Sequence, residues 1–158
     1  MKKIVVISDT HGNRAAIEKL NGVFAESDLI IHLGDTSSDG SRIRANFPDK
    51  TILINGNCDF PRLGEDEKII EVEGVKIFAC HGDRYKVKGG VSHLAERAAE
   101  LGAQIALYGH THKACELEVN GVCTLNPGTL SRIAHTKTYL YLVIYGDKFT
   151  LKIVEICP

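Results

Sequence analysis

Hydrophobic residues along this chain gather into short runs, and five of those runs stop at a polar side chain able to hold a metal. Ile4-Val5-Val6-Ile7 leads to Asp9 and His11, and Leu29-Ile30-Ile31 leads through His32 to Asp35. Thr51-Ile52-Leu53-Ile54 leads to Asn57, Val75-Lys76-Ile77-Phe78-Ala79 to His81, and Ile105-Ala106-Leu107-Tyr108 to His110 and His112. Runs this short, rich in β-branched residues and bounded by Gly, Asn and Asp, read as buried strands. The helical period predicts a helix over 13–25, with Ile17, Leu20, Val23 and Phe24 on one face, although Gly22 costs about 1 kcal/mol relative to Ala. A second helix is predicted over 91–101, where Val91, Leu94, Ala95, Ala98 and Leu101 share a face and Gly102 stops the run. Residues 42–46 suit a short helix before Pro48, and Ser37-Ser38-Asp39-Gly40-Ser41 reads as a loop.

The second half is strand-rich. Glu73-Gly74, Asn120-Gly121 and Gly146-Asp147 lie between β-type runs and read as hairpin turns, making 114–119, 122–126, 139–145 and 148–154 antiparallel. Parallel units first and hairpins later predict an α/β fold, with a mixed sheet or two packed sheets and helices outside. In open α/β sheets ligands bind beyond the carboxyl ends of the strands. Five such ends side by side would aim seven oxygen and nitrogen donors, Asp9, His11, Asp35, Asn57, His81, His110 and His112, into one crevice. Seven donors are too many for one ion and suit two ions sharing a ligand.

Composition narrows the setting. The chain has 158 residues, is 44% hydrophobic and carries a net charge of −1; this predicts one domain over 1–158, with no electrostatic draw toward nucleic acid or an anionic membrane. No apolar stretch is long enough to span a bilayer and no signal segment precedes the first strand, so the cytoplasm is the expected location. The five cysteines form no C-x-x-C pair, which argues against a disulfide framework or a structural zinc knuckle.

Taken in order, Asp9-x-His11, Gly34-Asp35, Gly56-Asn57, His81-Gly82 and Gly109-His110-x-His112 resemble the blocks of the calcineurin-like metallophosphoesterases. Gly56-Asn57-Cys58-Asp59 and Asn126-Pro127-Gly128-Thr129 are similar to the small bacterial and archaeal phosphodiesterase subgroup. The resemblance implies a four-layer α/β/β/α sandwich of two mixed sheets flanked by helices. It also implies two divalent cations, Mn first, with Ni, Co, Fe or Zn as alternatives. Carried over position by position, Asp9, His11, Asp35 and His112 match the ligands of one metal. Asp35, Asn57, His81 and His110 match those of the other, with Asp35 bridging. The implied reaction is hydrolysis of a small phosphodiester by in-line attack of a metal-bridging hydroxide. The catalytic assignments fall on Asp35, Asn57 and His110, and contact with the substrate on Asn57, Cys58 and Arg132. A homo-oligomer is compatible with the family.

The chain departs from the family in places. Larger relatives carry His where Cys58 stands; a thiol is a poorer acid, which implies a preference for esters with good leaving groups. Cys58 is otherwise a small wall residue. Asp83 replaces a second His and is either an orienting partner of His81 or His110 or a solvated charge. Ser38 stands where the wider family places an Asp, with Asp39 one position off, so the usual Asp–His dyad is missing and a phosphomonoesterase is the weaker alternative. Asp59 reads as an ordinary turn residue or a loop holder, and Arg132 as a surface arginine or a phosphate donor. Asn126 either caps its turn or reaches the site. His32 reads as a hydrogen-bonded core imidazole and His93 as solvated, and His135 has no assigned role. A retromer subunit resembles the same family and binds partners through its surface, so a non-catalytic interaction module is the alternative from another class. In that subunit an amide replaces the bridging carboxylate, whereas Asp35 is retained here.

Overall fold

The structure is a computed structural model and describes residues 1–157. Its strands are β1 (Lys2–Ile7), β2 (Leu29–His32), β3 (Thr51–Leu53), β4 (Glu67–Val72), β5 (Val75–Cys80), β6 (Ile105–Leu107), β7 (Cys115–Val119), β8 (Val122–Asn126), β9 (Thr138–Tyr145) and β10 (Lys148–Glu155). Its helices are α1 (Arg14–Lys19), α2 (Asn21–Glu26), α3 (Ser37–Asn46) and α4 (Ser92–Glu100), with two 3₁₀ turns between β5 and α4. Among the described residues the strands form two five-stranded sheets, ordered β10-β9-β1-β2-β3 and β4-β5-β6-β8-β7. The β1-β2-β3 and β5-β6-β8 runs are parallel, and the remaining pairs are antiparallel.

Alternation along each strand builds the layers. Ile4 and Val6 of β1 point toward the other sheet and meet Ile77, Ile105, Leu107 and Leu125. Val5 and Ile7 point the other way, under Ala16, Phe24 and Ile43 of the first three helices and under Leu20 at the α1–α2 junction. Across the second sheet, Phe78 and Ala106 lie under Leu94, Ala95 and Ala98 of α4. Both faces of β1, β5 and β6 are therefore buried, which is why their sequences are uninterrupted apolar runs. The result is the expected α/β/β/α sandwich of two mixed sheets. The three hairpins fall at the expected turns. Among the described residues no helix is long and apolar enough to cross a membrane.

Two helices differ from the periodicity. The 13–25 segment is two helices, because the chain tightens at Leu20, whose N–H bonds Ile17 O at 2.9 Å, just before the weak helix formers Asn21 and Gly22. The 37–41 segment, read as a loop, is the first half of α3. Tertiary contacts overrule its poor propensity. The Asp59 carboxylate accepts the Ser37 N–H at 2.6 Å. Gly40 lets the helix press onto β3, since a Cβ there would come within 2.5 Å of Leu53 Cδ2.

Candidate metal centre

The tips of β1, β2 and β3 face those of β5 and β6 across the seam between the sheets, and the chain turns sharply as it leaves each tip. Asp9, His11, Asp35, His110 and His112 all have left-handed backbones, with φ of 53°, 42°, 50°, 69° and 64°. For a residue with a Cβ this conformation costs on the order of 1 kcal/mol. Five of the seven expected ligands carry it, and clustered strain of this kind marks a functional site. Gly56 allows the β2 and β3 loops to meet: a Cβ there would lie 2.7 Å from Asp35 N and inside contact distance of its carboxylate.

Three ligands are deeply buried: Asp9 is 0%, His81 1% and Asp35 3% exposed. Asp9 Oδ2 accepts from Ser8 Oγ at 2.6 Å and from the His110 N–H at 3.0 Å. Its other oxygen, Oδ1, has no hydrogen-bond partner, and lies 3.1 Å from His112 Nε2 and 3.8 Å from His11 Nε2. His81 Nδ1 donates to Leu33 O at 2.7 Å, which leaves the lone pair on Nε2. That Nε2 is likewise unpartnered and lies 3.4 Å from Asp35 Oδ2. Two acceptors facing each other underground repel unless a cation or a proton lies between them. Two compact donor groups result, Asp9-His11-His112 and Asp9-Asp35-His81. Carboxylates and imidazoles without a thiolate suit divalent ions of borderline hardness, so the residues present fit the implied metals.

Asp9 belongs to both groups, so it too is placed to be shared. His110 stands outside both and packs its ring edge-on against His81, with centroids 5.1 Å apart. Asn57 is exposed beside Cys58, its Nδ2 3.6 Å from the Cys58 sulfur, while the Cys58 N–H donates to Asp35 Oδ1 at 3.0 Å. Arg132 is exposed and donates at 3.3 Å to the carbonyl of Gly12, next to His11 in the chain, and it lines a separate cavity with Asn13 and His135.

The electrostatics follow from the packing. Burial pushes the carboxyl pKa of Asp9 up, but the neighbouring imidazoles of His11, His81 and His112 outweigh it and hold the pKa down. Asp35 is likewise pushed up by burial and pulled well below the usual carboxylate range by His81 and the Cys58 N–H. Burial lowers the His81 pKa, and the Asp35 and Asp9 carboxylates more than restore it. Burial, then the nearby His81, push the His110 pKa down. Burial and the Asp35 charge push the Cys58 thiol up.

Two networks support the centre, and for Asp59 the loop-holder alternative is the one the structure shows. Asp59 is a buried clamp rather than an ordinary turn residue: its carboxylate accepts the N–H groups of Asp35 at 3.0 Å, Gly56 at 2.7 Å and Ser37 at 2.6 Å. Beneath Asp9, His32 Nδ1 accepts the Gly34 N–H at 3.0 Å, so its Nε2–H faces Thr10 Oγ1 at 3.0 Å. Thr10 donates on to Asp39 at 2.6 Å, and Asp39 also accepts the Gly12 N–H at 2.8 Å. Asp39 thus ties down the His11 turn. His32 is the hydrogen-bonded core imidazole expected. Asn126 both caps its turn, accepting from Gly128, and buttresses the metal loop, donating to Gly109 O at 3.1 Å and Thr111 Oγ1 at 2.9 Å. Among the described residues the Asp83 carboxylate bonds neither His81 nor His110. His93 is exposed on α4, and His135 borders a cavity beside Arg132.

Strand tips gathering buried carboxylates and imidazoles at the seam of two sheets define a candidate metal-binding protein of the α/β/β/α class. The calcineurin-like phosphoesterase superfamily domain matches residues 1–148, and the chain belongs to that family. It is 31% identical to a probable metallophosphoesterase of Bacillus subtilis, over 96% of this chain and 90% of that one. It is 29% identical to a phosphodiesterase of Methanocaldococcus jannaschii, over 80% and 82%. Among solved structures it superposes on a conserved Streptococcus pneumoniae protein described as a predicted phosphoesterase, with a TM-score of 0.82, 25% identity and coverage of 98% and 89%. Vps29 from Entamoeba histolytica, complexed with zinc, shares the fold alone, with a TM-score of 0.78, 20% identity and 98% coverage of each chain.

Proposed function

We propose that this chain is a divalent-metal-dependent phosphodiesterase for small diesters, with residues 1–158 acting as one catalytic domain. The observation that supports it most is the pair of buried acceptors, Asp9 Oδ1 and His81 Nε2, turned into one crevice without a protein donor. A relative named as a phosphodiesterase adds to it. Following the family pattern, Asp9, His11, Asp35 and His112 would hold one cation and Asp35, Asn57, His81 and His110 the other, manganese being the first candidate. The compact groups Asp9-His11-His112 and Asp9-Asp35-His81 would supply the core of each set, while His110 and Asn57 stand outside them. Bound there, the cations lower the pKa of water and neutralise charge on the phosphoryl oxygens.

The chain's own residues supply the frame. Asp59 and the Cys58 N–H hold Asp35 in place, and Leu33 O sets the tautomer of His81. Asn57, Cys58 and Arg132 line the open side and meet the ester. Cys58 offers a thiol where a stronger acid would stand, so the leaving group departs largely unassisted.

An interaction module on this fold is the competing reading. A bound cation would satisfy the two buried acceptors in either reading, since Vps29 on this fold is itself complexed with zinc, so what favours catalysis is the relative named as a phosphodiesterase. A phosphomonoesterase reading is weaker because Asp39 is committed to Thr10 and Gly12. The test is hydrolysis of bis(4-nitrophenyl) phosphate with added Mn²⁺ and then with excess chelator. Turnover should appear with the ion, vanish on chelation, and fall about a hundredfold or more in Asp35→Asn with the circular dichroism spectrum retained. Inactivity with every first-row divalent ion would overturn the proposal.

A further inference from the structure

We propose that the cavity flanking the His110–His112 loop is a subsite for one arm of the ester, and that it selects an aromatic arm carrying an additional anionic group. This rests on the phosphodiesterase reading and adds its substrate class. The cavity measures about 550 Å³, within the usual range for small-molecule sites. Its walls come from segments that carry metal ligands. Thr111 lies between His110 and His112, and Val87 packs against Gly82, the residue after His81: a Cβ at Gly82 would meet a Val87 methyl at 2.8 Å. None of the expected ligands lines the cavity itself, so an arm of an ester seated at the centre would enter it past Thr111.

The lining chemistry sets the arm. Val87, Val91 and the ring of Tyr108 make a buried apolar floor, and Leu117, 49% exposed on the edge strand β7, forms an outer wall. Such a floor favours a flat, rigid apolar body, which loses little torsional freedom on binding. Lys88 and Lys113 stand at the rim, and no carboxylate lines the cavity. Lys50, Lys68, Lys76 and Lys137 all donate to carbonyls or carboxylates. Lys88 and Lys113, like Lys2, Lys3, Lys86, Lys148 and Lys152, have no such partner among the described residues; what sets them apart is that both line this one cavity. Two unpaired cations over an apolar floor complement a ring that bears a carboxylate or a second phosphate.

Single-arm ligands give a clean test. Methyl, phenyl and 3-carboxyphenyl phosphate present the same phosphoryl group with different arms, and their affinities for the Mn²⁺-supplied protein are read by calorimetry. Affinity should rise about tenfold from methyl to phenyl, and about three- to tenfold again on adding the carboxylate. In the Lys88→Ala/Lys113→Ala double variant the carboxylate step should disappear while the phenyl step persists. Leu117→Asp should shrink the phenyl step. Equal affinity for the three ligands, or a carboxylate step that survives in the double variant, overturns the subsite. Because binding is read without turnover, an inactive protein that keeps the ranking sinks the phosphodiesterase reading and leaves the subsite standing.

Discussion

Replacing Asp59 with Asn tests how the centre is held. The Asp59 carboxylate is 4% exposed and accepts three main-chain N–H groups: Oδ2 takes those of Asp35 and Gly56, and Oδ1 takes that of Ser37. An amide has one acceptor oxygen. Its better orientation keeps that oxygen on Asp35 and Gly56 and sets the NH₂ against the Ser37 N–H, which loses its partner. Bonds to a charged group contribute about 1.5–3 kcal/mol each, so one lost bond and two weakened ones amount to roughly 2–4 kcal/mol. At about 2–4 °C per kcal/mol for a chain of this size, Tm should fall by roughly 5–15 °C. The same three N–H groups belong to the loops bearing Asp35 and Asn57 and to the start of α3, so Mn²⁺ affinity should also weaken, by about 10–100-fold. Thermal melting in chelator reads the first effect, and calorimetric Mn²⁺ titration well below Tm reads the second. A variant melting within 1 °C of wild type with unchanged Mn²⁺ affinity would refute the clamp.

Gly56→Ala should cost about 1–3 kcal/mol, because its Cβ meets the Asp35 main chain, and it should abolish Mn²⁺ binding in titrations while the protein still folds. Buried His32 is held below its ordinary pKa of 6.5 by burial, so below pH 6.5 the unfolded chain takes up a proton that the folded one refuses. Wild type should therefore lose about 1 kcal/mol more than His32→Gln between pH 6.5 and 5.5, measured by urea denaturation in chelator; parallel pH profiles would contradict this. With a thiol in place of a stronger acid, kcat for a series of aryl diesters should fall steeply as leaving-group pKa rises; a flat plot would reveal an acid other than Cys58.

What the chain declares about itself is local. Burial is written in the period of apolar residues, so the runs ending at Asp9, Asp35, Asn57, His81 and His110 announce strands and place those side chains at strand tips. The hairpins at Asn120-Gly121 and Gly146-Asp147 were legible because a two-residue turn needs residues that tolerate positive φ; at Glu73-Gly74 the glycine marked the turn although Glu73 is the residue that takes the positive φ. Helix boundaries were less legible. The 37–41 segment has loop-like propensity and became helical only because Asp59 and β3, distant in sequence, receive it. Asp59 as a loop holder and His32 as a core imidazole were among the sequence's alternatives, but the partners of these supports were not legible, for a related reason. Nothing in a lone Asp says that it will gather N–H groups from its own loop and from the β2–α3 connection, or that Thr10 will link Asp39 to His32. Nor does ligand order along the chain reveal that Asp9 stands within reach of both donor groups. Those facts depend on how two sheets pack face to face and how far each loop reaches across the seam. Sequence encodes which faces avoid water, whereas only the assembled fold sets the distances between groups carried by different strands.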